Sequence, residues 1–268
     1  IMNNDPQCVH HVHVCGLATT FIDMIKNKKL VPSGDLILYL PNVICALALT
    51  EDGTKRIKRA NPFPALLSVF YDPKYIPAIQ LTDRNLRDED KMCLQVGSNL
   101  DEIARHAPSL RHEIVASVEE ALKETLKIGQ QLVVEEIAYN ENNTAPNQTT
   151  VTNLTNRRTQ FVQHTTFVCH ITEQVIQKSE HCEIFLEKGG LQHLTDIYYC
   201  MIPHGRELLS HLSCMNNPSS SVHLAHFTVG TEIVGTLKSL MQQSLGQPKT
   251  SQRIIEHLMD AFQDSFIN

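Results

Sequence analysis

Leu110, Ile114, Val118, Leu122 and Leu126 fall four apart and make one unbroken apolar stripe. Only an α-helix lines up residues at that spacing, and a stripe of this kind has to be covered by other elements. The spacing predicts a helix from about Ser109 to Lys127, with Pro108 and Ser109 suited to its start and Lys127 and Gly129 to its end. At 1.5 Å per residue its length is roughly 30 Å, that of a long solenoid helix. Val168, Ile171 and Val175 stripe a second helix over about Phe161 to Gln177. Val222, Val229, Ile233, Leu237 and Leu240 stripe a third over Ser219 to Ser244, closed by Gly246 and Pro248. A last helix places Ile255, Leu258, Phe262 and Phe266 on one face after a Ser251 cap. No stretch of comparable length alternates with the period of two that a half-buried strand requires. The predicted fold class is all-α.

Three helix ends share a small-residue corner followed by a new apolar helix. They are Val14-Cys15-Gly16-Leu17 leading into Phe21-Ile22, Arg59-Ala60-Asn61-Pro62-Phe63 leading into Leu66-Leu67, and Glu187-Lys188-Gly189-Gly190-Leu191 leading into Leu194 and Ile197. Upstream of the second and third, Ile44 to Ile57 parallels Thr172 to Phe185. The separations fit one or three units of the roughly 40–47 residues of armadillo and HEAT repeats. The expected architecture is therefore an armadillo/HEAT-like α-solenoid, a right-handed superhelix of helical repeats. Tyr139 to Thr159 is Asn/Thr-rich, contains Pro146 and has few large apolar groups, so it reads as a long disordered loop or linker. It divides the array into helical repeats over 1–138 and further repeats over 160–268, stacked in the same solenoid.

With 268 residues and 42% hydrophobic side chains, the chain can build a sizeable core as two domains or one array. A formal net charge of −6 argues against a nucleic-acid-binding surface. No apolar run reaches the roughly 18–20 residues of a membrane span. The richest, Leu36 to Leu49, is interrupted by Pro41 and Asn42, and Ile1 to Gln7 lack signal-peptide character. The start at isoleucine leaves room for an expectation that the chain is a cut from something longer. The eight cysteines, Cys8, Cys15, Cys45, Cys93, Cys169, Cys182, Cys200 and Cys214, lack CxxC spacing and sit mostly among apolar residues, as small hydrophobes do. The expected compartment is reducing, cytoplasmic and/or nuclear.

Candidate chemistry is thin. Cys8, His10, His11, His13 and Cys15 are residue types that bind zinc, but no second ligand pair follows at finger-like spacing. Cys214, with His211 nearby, has the surroundings of a thiol nucleophile but lies in a segment that reads as a loop between helices. No Gly-rich phosphate loop, GxSxG elbow or HExxH pair occurs. Lys55-Arg56-Ile57-Lys58-Arg59 follows Glu51 and Asp52, as in a solvated helix with acid at its start and base at its end; it could also meet an acidic peptide or a neighbouring subunit. Sequons at Asn142, Asn147 and Asn153 matter only in a secreted chain. The reading is no catalytic residue, no cofactor and no metal.

Tyr39-Leu-Pro-Asn-Val-Ile-Cys-Ala-Leu-Ala-Leu49 resembles a segment of the N-terminal armadillo-like region of the giant HECT-type E3 ubiquitin ligases, the Mule type. The resemblance continues through Pro62-Phe63, Asp72 to Ala78, Gly97 to Glu102, Arg105-His106, Pro108 to Leu110 and Ile128-Gly129. Beyond the linker it returns at Cys182 to Phe185 and Lys188 to Leu191, then fades after about residue 200. The resemblance implies a non-catalytic solenoid arm that recruits protein substrates and contacts other segments of the same ligase, while a C-terminal HECT domain, absent here, carries the ubiquitin thioester. Ser213 to Asn216 is superficially similar to the setting of the HECT cysteine, but the bilobal domain around it is missing. Family members often carry an acidic insertion after the long helix, whereas Tyr139 to Thr159 is nearly neutral. The alternative is a free-standing armadillo adaptor that binds extended peptides. The absence of any Trp tells against the Trp/Asn ladder such adaptors use.

Overall fold

Every residue of the stripe from Leu110 to Leu126 is buried. The computed structural model describes residues 6–27, 30–84, 86–87, 91–142, 148–200 and 219–267. Among them the chain forms α1 (Pro6–Val14), α2 (Leu17–Lys26), α3 (Gly34–Leu47), α4 (Glu51–Ala60), α5 (Phe63–Leu67), α6 (Ile76–Asp83), α7 (Met92–His106), α8 (Arg111–Asn142) and α9 (Gln148–Val175). It continues with α10 (Ser179–Glu187), α11 (190–200), α12 (Ser219–Ser244) and α13 (Pro248–Ile267). Short 3-10 turns occupy Ser68–Phe70 and Pro108–Leu110. No strand occurs among the described residues, and none of their helices is long and apolar enough to cross a membrane.

The helices stack in two rows. α3, α7, α9 and α12 each pack on the next, and so do α2, α5, α8 and α10, while α8 and α9 tie the rows together. Each helix buries its stripe against neighbours in its own row and across it, which is how a solenoid builds one continuous core. The all-α solenoid expected from periodicity is what the chain forms.

The corners are its repeating joints. Gly16 (φ 79°), Asn61 (φ 43°) and Gly189 (φ 91°) are the positive-φ residues among those described, one in each of the three corners. A left-handed residue stops one helix and swings the chain into the next. At Asn61 the backbone N–H still donates to the Ile57 carbonyl at 2.7 Å, and Thr50 caps the other end of α4 by accepting from the Gly53 N–H at 3.1 Å. Gly190 serves a different need: a Cβ there would lie 2.3 Å from the Phe185 ring.

Three boundaries differ from expectation. α8 does not end at Gly129 but runs on to Asn142. Gly129 lies where a Cβ would meet the Phe161 ring at 2.7 Å, so it grants close approach to α9 rather than a helix stop. The long loop over Tyr139 to Thr159 is a second correction, because helix covers 139–142 and 148–159 and only 143–147 lie outside the described residues. Third, α13 starts at Pro248, and Ser251 inside it bonds the Ser244 carbonyl at 2.7 Å instead of capping. Ile254 is buried and Ile255 turned outward, so the stripe that meets α12 runs one residue off the expected face.

α7 crosses α9 at close range. A Cβ on Gly97 would sit 2.7 Å from Gln174 Cβ and 3.0 Å from the Ile171 carbonyl oxygen, and that backbone cannot move aside. Gly97→Ala is expected to cost about 1–3 kcal/mol by overpacking. Urea unfolding followed by circular dichroism checks this, and a midpoint equal to the parent's would mean the crossing has slack.

Candidate functional site

The Cys/His segment forms α1 and its corner. Cys15 is exposed, with its thiol 3.5 Å from the Val12 carbonyl, while His13 Nε2 lies against Gly53 of α4. Among the described residues no three His, Cys, Asp or Glu side chains converge as ligands would. Cys93, Cys169 and Cys182 are buried, and no disulfide joins the described cysteines. Burial pushes the Cys93 and Cys169 thiols well up, and moves Cys182 and Cys200 to about 11, so they are protonated packing groups at neutral pH. Cys214 and His211 lie outside the described residues.

The basic run sits on α4 and divides by face. Lys55 pairs with Glu51 at 2.6 Å, and Lys58 donates to the Ser109 carbonyl at 2.9 Å with Glu113 at 3.5 Å. Ile57 between them is buried in the core. Arg56 and Arg59 face instead a cleft against α2.

Composition and spacing do not reveal a charge cluster where α6, α7, α9 and α12 meet. His170 Nε2 lies 2.8 Å from Glu232, and Glu173 accepts from the Thr236 hydroxyl at 3.3 Å. Asp83 accepts from the Met92 N–H at 2.9 Å, and Lys91 donates to the Asp83 carbonyl at 2.7 Å. Burial raises the Asp83 and Glu173 carboxyls above their usual range, against the pull of His170 and their hydrogen bonds. For His170 burial alone favours the neutral ring, but the bond to Glu232 and the charges of Glu232, Glu173 and Asp83 outweigh it, and its pKa is raised. The cluster borders a cleft of about 530 Å3 lined by Gln80, Arg84, Phe167 and Cys93 among others. The cluster joins helices α6, α7, α9 and α12.

A second charged contact, between α8 and α9, falls where the loop was expected. Arg158 and Glu136, only 5% and 2% exposed, form a two-pronged ion pair, with Arg158 Nε 3.0 Å from Glu136 Oε1 and a second bond from Nη2 to Oε2. Arg157 and Glu135 pair beside them at the surface.

Residues 1–139 match the family model described as Domain of Unknown Function (DUF913). Over 218 residues the chain is 25% identical to E3 ubiquitin-protein ligase UPL1 of Arabidopsis thaliana, covering 74% of this chain and 6% of that protein. It is 26% identical over 129 residues to E3 ubiquitin-protein ligase HUWE1 of Mus musculus, covering 47% of this chain and 3% of that protein. E3 ubiquitin-protein ligase TOM1 of Saccharomyces cerevisiae is 27% identical over 118 residues, 44% of this chain and 3% of that protein. The kinship with giant ubiquitin ligases read from Tyr39 to Leu191 is met by these relatives, of whose length the chain spans a few per cent.

Two outcomes follow from the charged contacts. A histidine whose pKa is raised by folding adds stability that is complete below about pH 6.5 and is lost as pH climbs through the higher folded value. The stability gap between the parent and His170→Gln should therefore be largest near pH 6 and shrink toward about pH 9; urea midpoints at both ends check this, and a constant gap would mean the ring is not charged. Arg158→Met strands a buried carboxylate and should cost about 3–5 kcal/mol, much of it recovered by adding Glu136→Leu. The same unfolding measurement tests it: additive losses in the double variant would deny the pairing.

Proposed function

The chain belongs to the DUF913 family, and from that premise we propose that it is a non-catalytic, substrate-recruiting solenoid segment of a giant HECT-type E3 ubiquitin-protein ligase. The observation that carries this reading is the mismatch of scale: relatives sharing 74% of the chain are ubiquitin ligases, yet the chain is 6% of their length. A segment of that size, built of stacked helices, is suited to holding partners rather than to transferring ubiquitin. The buried, protonated state of its core thiols agrees, since thioester chemistry needs an accessible thiolate. Its helical pairs serve as armadillo-like repeats, with 1–138 and 160–268 as parts of one array. The partners are protein substrates and neighbouring segments of the ligase, met in the cytoplasm or nucleus.

The full-length protein with residues 1–268 excised should still accept ubiquitin from a charged E2 onto its own catalytic cysteine. Ubiquitylation of a subset of its substrates should fall by about tenfold or more, as the loss of roughly 1.4 kcal/mol of binding would produce. Thioester gels and quantitative ubiquitin-remnant proteomics read the two effects. Loss of the thioester would sink the non-catalytic assignment, and an unchanged substrate profile would sink recruitment.

A further inference from the structure

The two arginines of the basic run left unpaired by α4 have a cleft to themselves. Arg56 and Arg59 stand three apart on one helical face, and with Lys26 at the end of α2 they border a hollow of about 290 Å3. All three side chains are exposed, and none has an ion-pair partner among the described residues, in contrast to Lys55 and Lys58. The floor is apolar, made by Ile22 and Ala60, and the remaining polar groups are Thr19 and a single carboxylate, Asp23. Three cations facing one anion leave a local excess of positive charge on a chain whose overall charge is −6.

The geometry points to this α2–α4 cleft as a docking site for an acidic protein segment, one whose Asp or Glu side chains pair with Arg56, Arg59 and Lys26 while an apolar side chain rests on Ile22 and Ala60. Charge complementarity selects the occupant. Guanidinium forks match carboxylates two-pronged, and a pair of them at helical spacing reads two acidic side chains of an extended chain. Asp23 disfavours a phosphate, which brings close to two negative charges to one point, more than it disfavours carboxylates carrying one each. The protein nature of the occupant rests on the recruiting role proposed above; the cleft and its charge do not.

The test is fluorescence polarisation on the full-length protein with a short labelled peptide alternating Glu with Leu, beside versions carrying Gln or phosphoserine in place of Glu. The Glu peptide should bind, the Gln version should not, and Arg56→Glu with Arg59→Glu should weaken binding by about tenfold or more. The variant's thermal midpoint, expected to match the parent's because both arginines are exposed, separates lost binding from lost folding. No binding of the Glu peptide, equal binding of the Gln version, tighter binding of the phosphoserine version or an unaffected double variant would each overturn the assignment. Substrate ubiquitylation by the same variant keeps the two readings apart. Peptide binding lost with every substrate still modified upholds the cleft and counts against recruitment through it. Substrate modification lost with peptide binding intact overturns the cleft and leaves recruitment standing.

Discussion

The stack depends on how closely α9 can lie against its neighbours. Gly97 on α7 and Gly129 on α8 each remove the one atom that would hold the helices apart, at Ile171 and Phe161 respectively. At such close approach a buried polar group on α9 is costly unless it finds a protein partner, and most of them do. Thr165 and Thr172 return their hydroxyls to carbonyls one turn back, at 3.0 and 2.7 Å. His164 meets the Phe70 carbonyl at 3.0 Å, and burial keeps its ring neutral more strongly than that bond opposes. His170 and Arg158 take carboxylates from α12 and α8. Close packing comes first, and the charge pairs follow from it.

The same logic distributes chemistry between inside and outside. Histidines bridge helices: half-buried His193 lies 2.8 Å from Glu119, whose carboxyl burial raises against the pull of the histidine, and buried His181 holds the Val175 carbonyl at 2.7 Å. Burial keeps the thiols of Cys93, Cys169 and Cys182 protonated. Arg56 and Arg59 on α4 and Lys26 on α2 are exposed and without ion-pair partners among the described residues, so the recognition proposed for their cleft is electrostatic rather than covalent.

Helix existence was legible wherever an apolar stripe ran unbroken. Leu110 to Leu126, Val168 to Val175 and Val229 to Leu240 all lie on the packed faces those stripes implied, and the corners announced themselves through Gly16, Asn61 and Gly189. The first half of α9 was hidden because its stripe is not apolar throughout. Leu154 and Phe161 are buried there, but Arg158 stands between them, and Asn and Thr lower intrinsic helix propensity around it. Thr155 and Thr159 bond the carbonyls four residues back, at 2.9 and 3.0 Å, which reconciles those residues with a helix. The trace in the sequence was a pair of patterns, Glu135-Glu136 and Arg157-Arg158, that only an antiparallel hairpin brings together. The α2–α4 cleft was half legible: the basic run is plain in the sequence, but which of its residues are spoken for depends on Ser109 and Glu113, some fifty positions away.

The Arg158–Glu136 pair has a mechanical side. Apolar ridges slide past one another in small steps, each trading one set of contacts for a similar one. A buried two-pronged ion pair has no equivalent position a turn away, so any slippage of α8 along α9 strands two charges in the core. The hairpin therefore behaves as a pinned joint under shear. Load passed along a long stack is diverted to the corners at Gly16, Asn61 and Gly189, where the backbone turns on a single residue, and the array yields by flexing there rather than by creep between its rods.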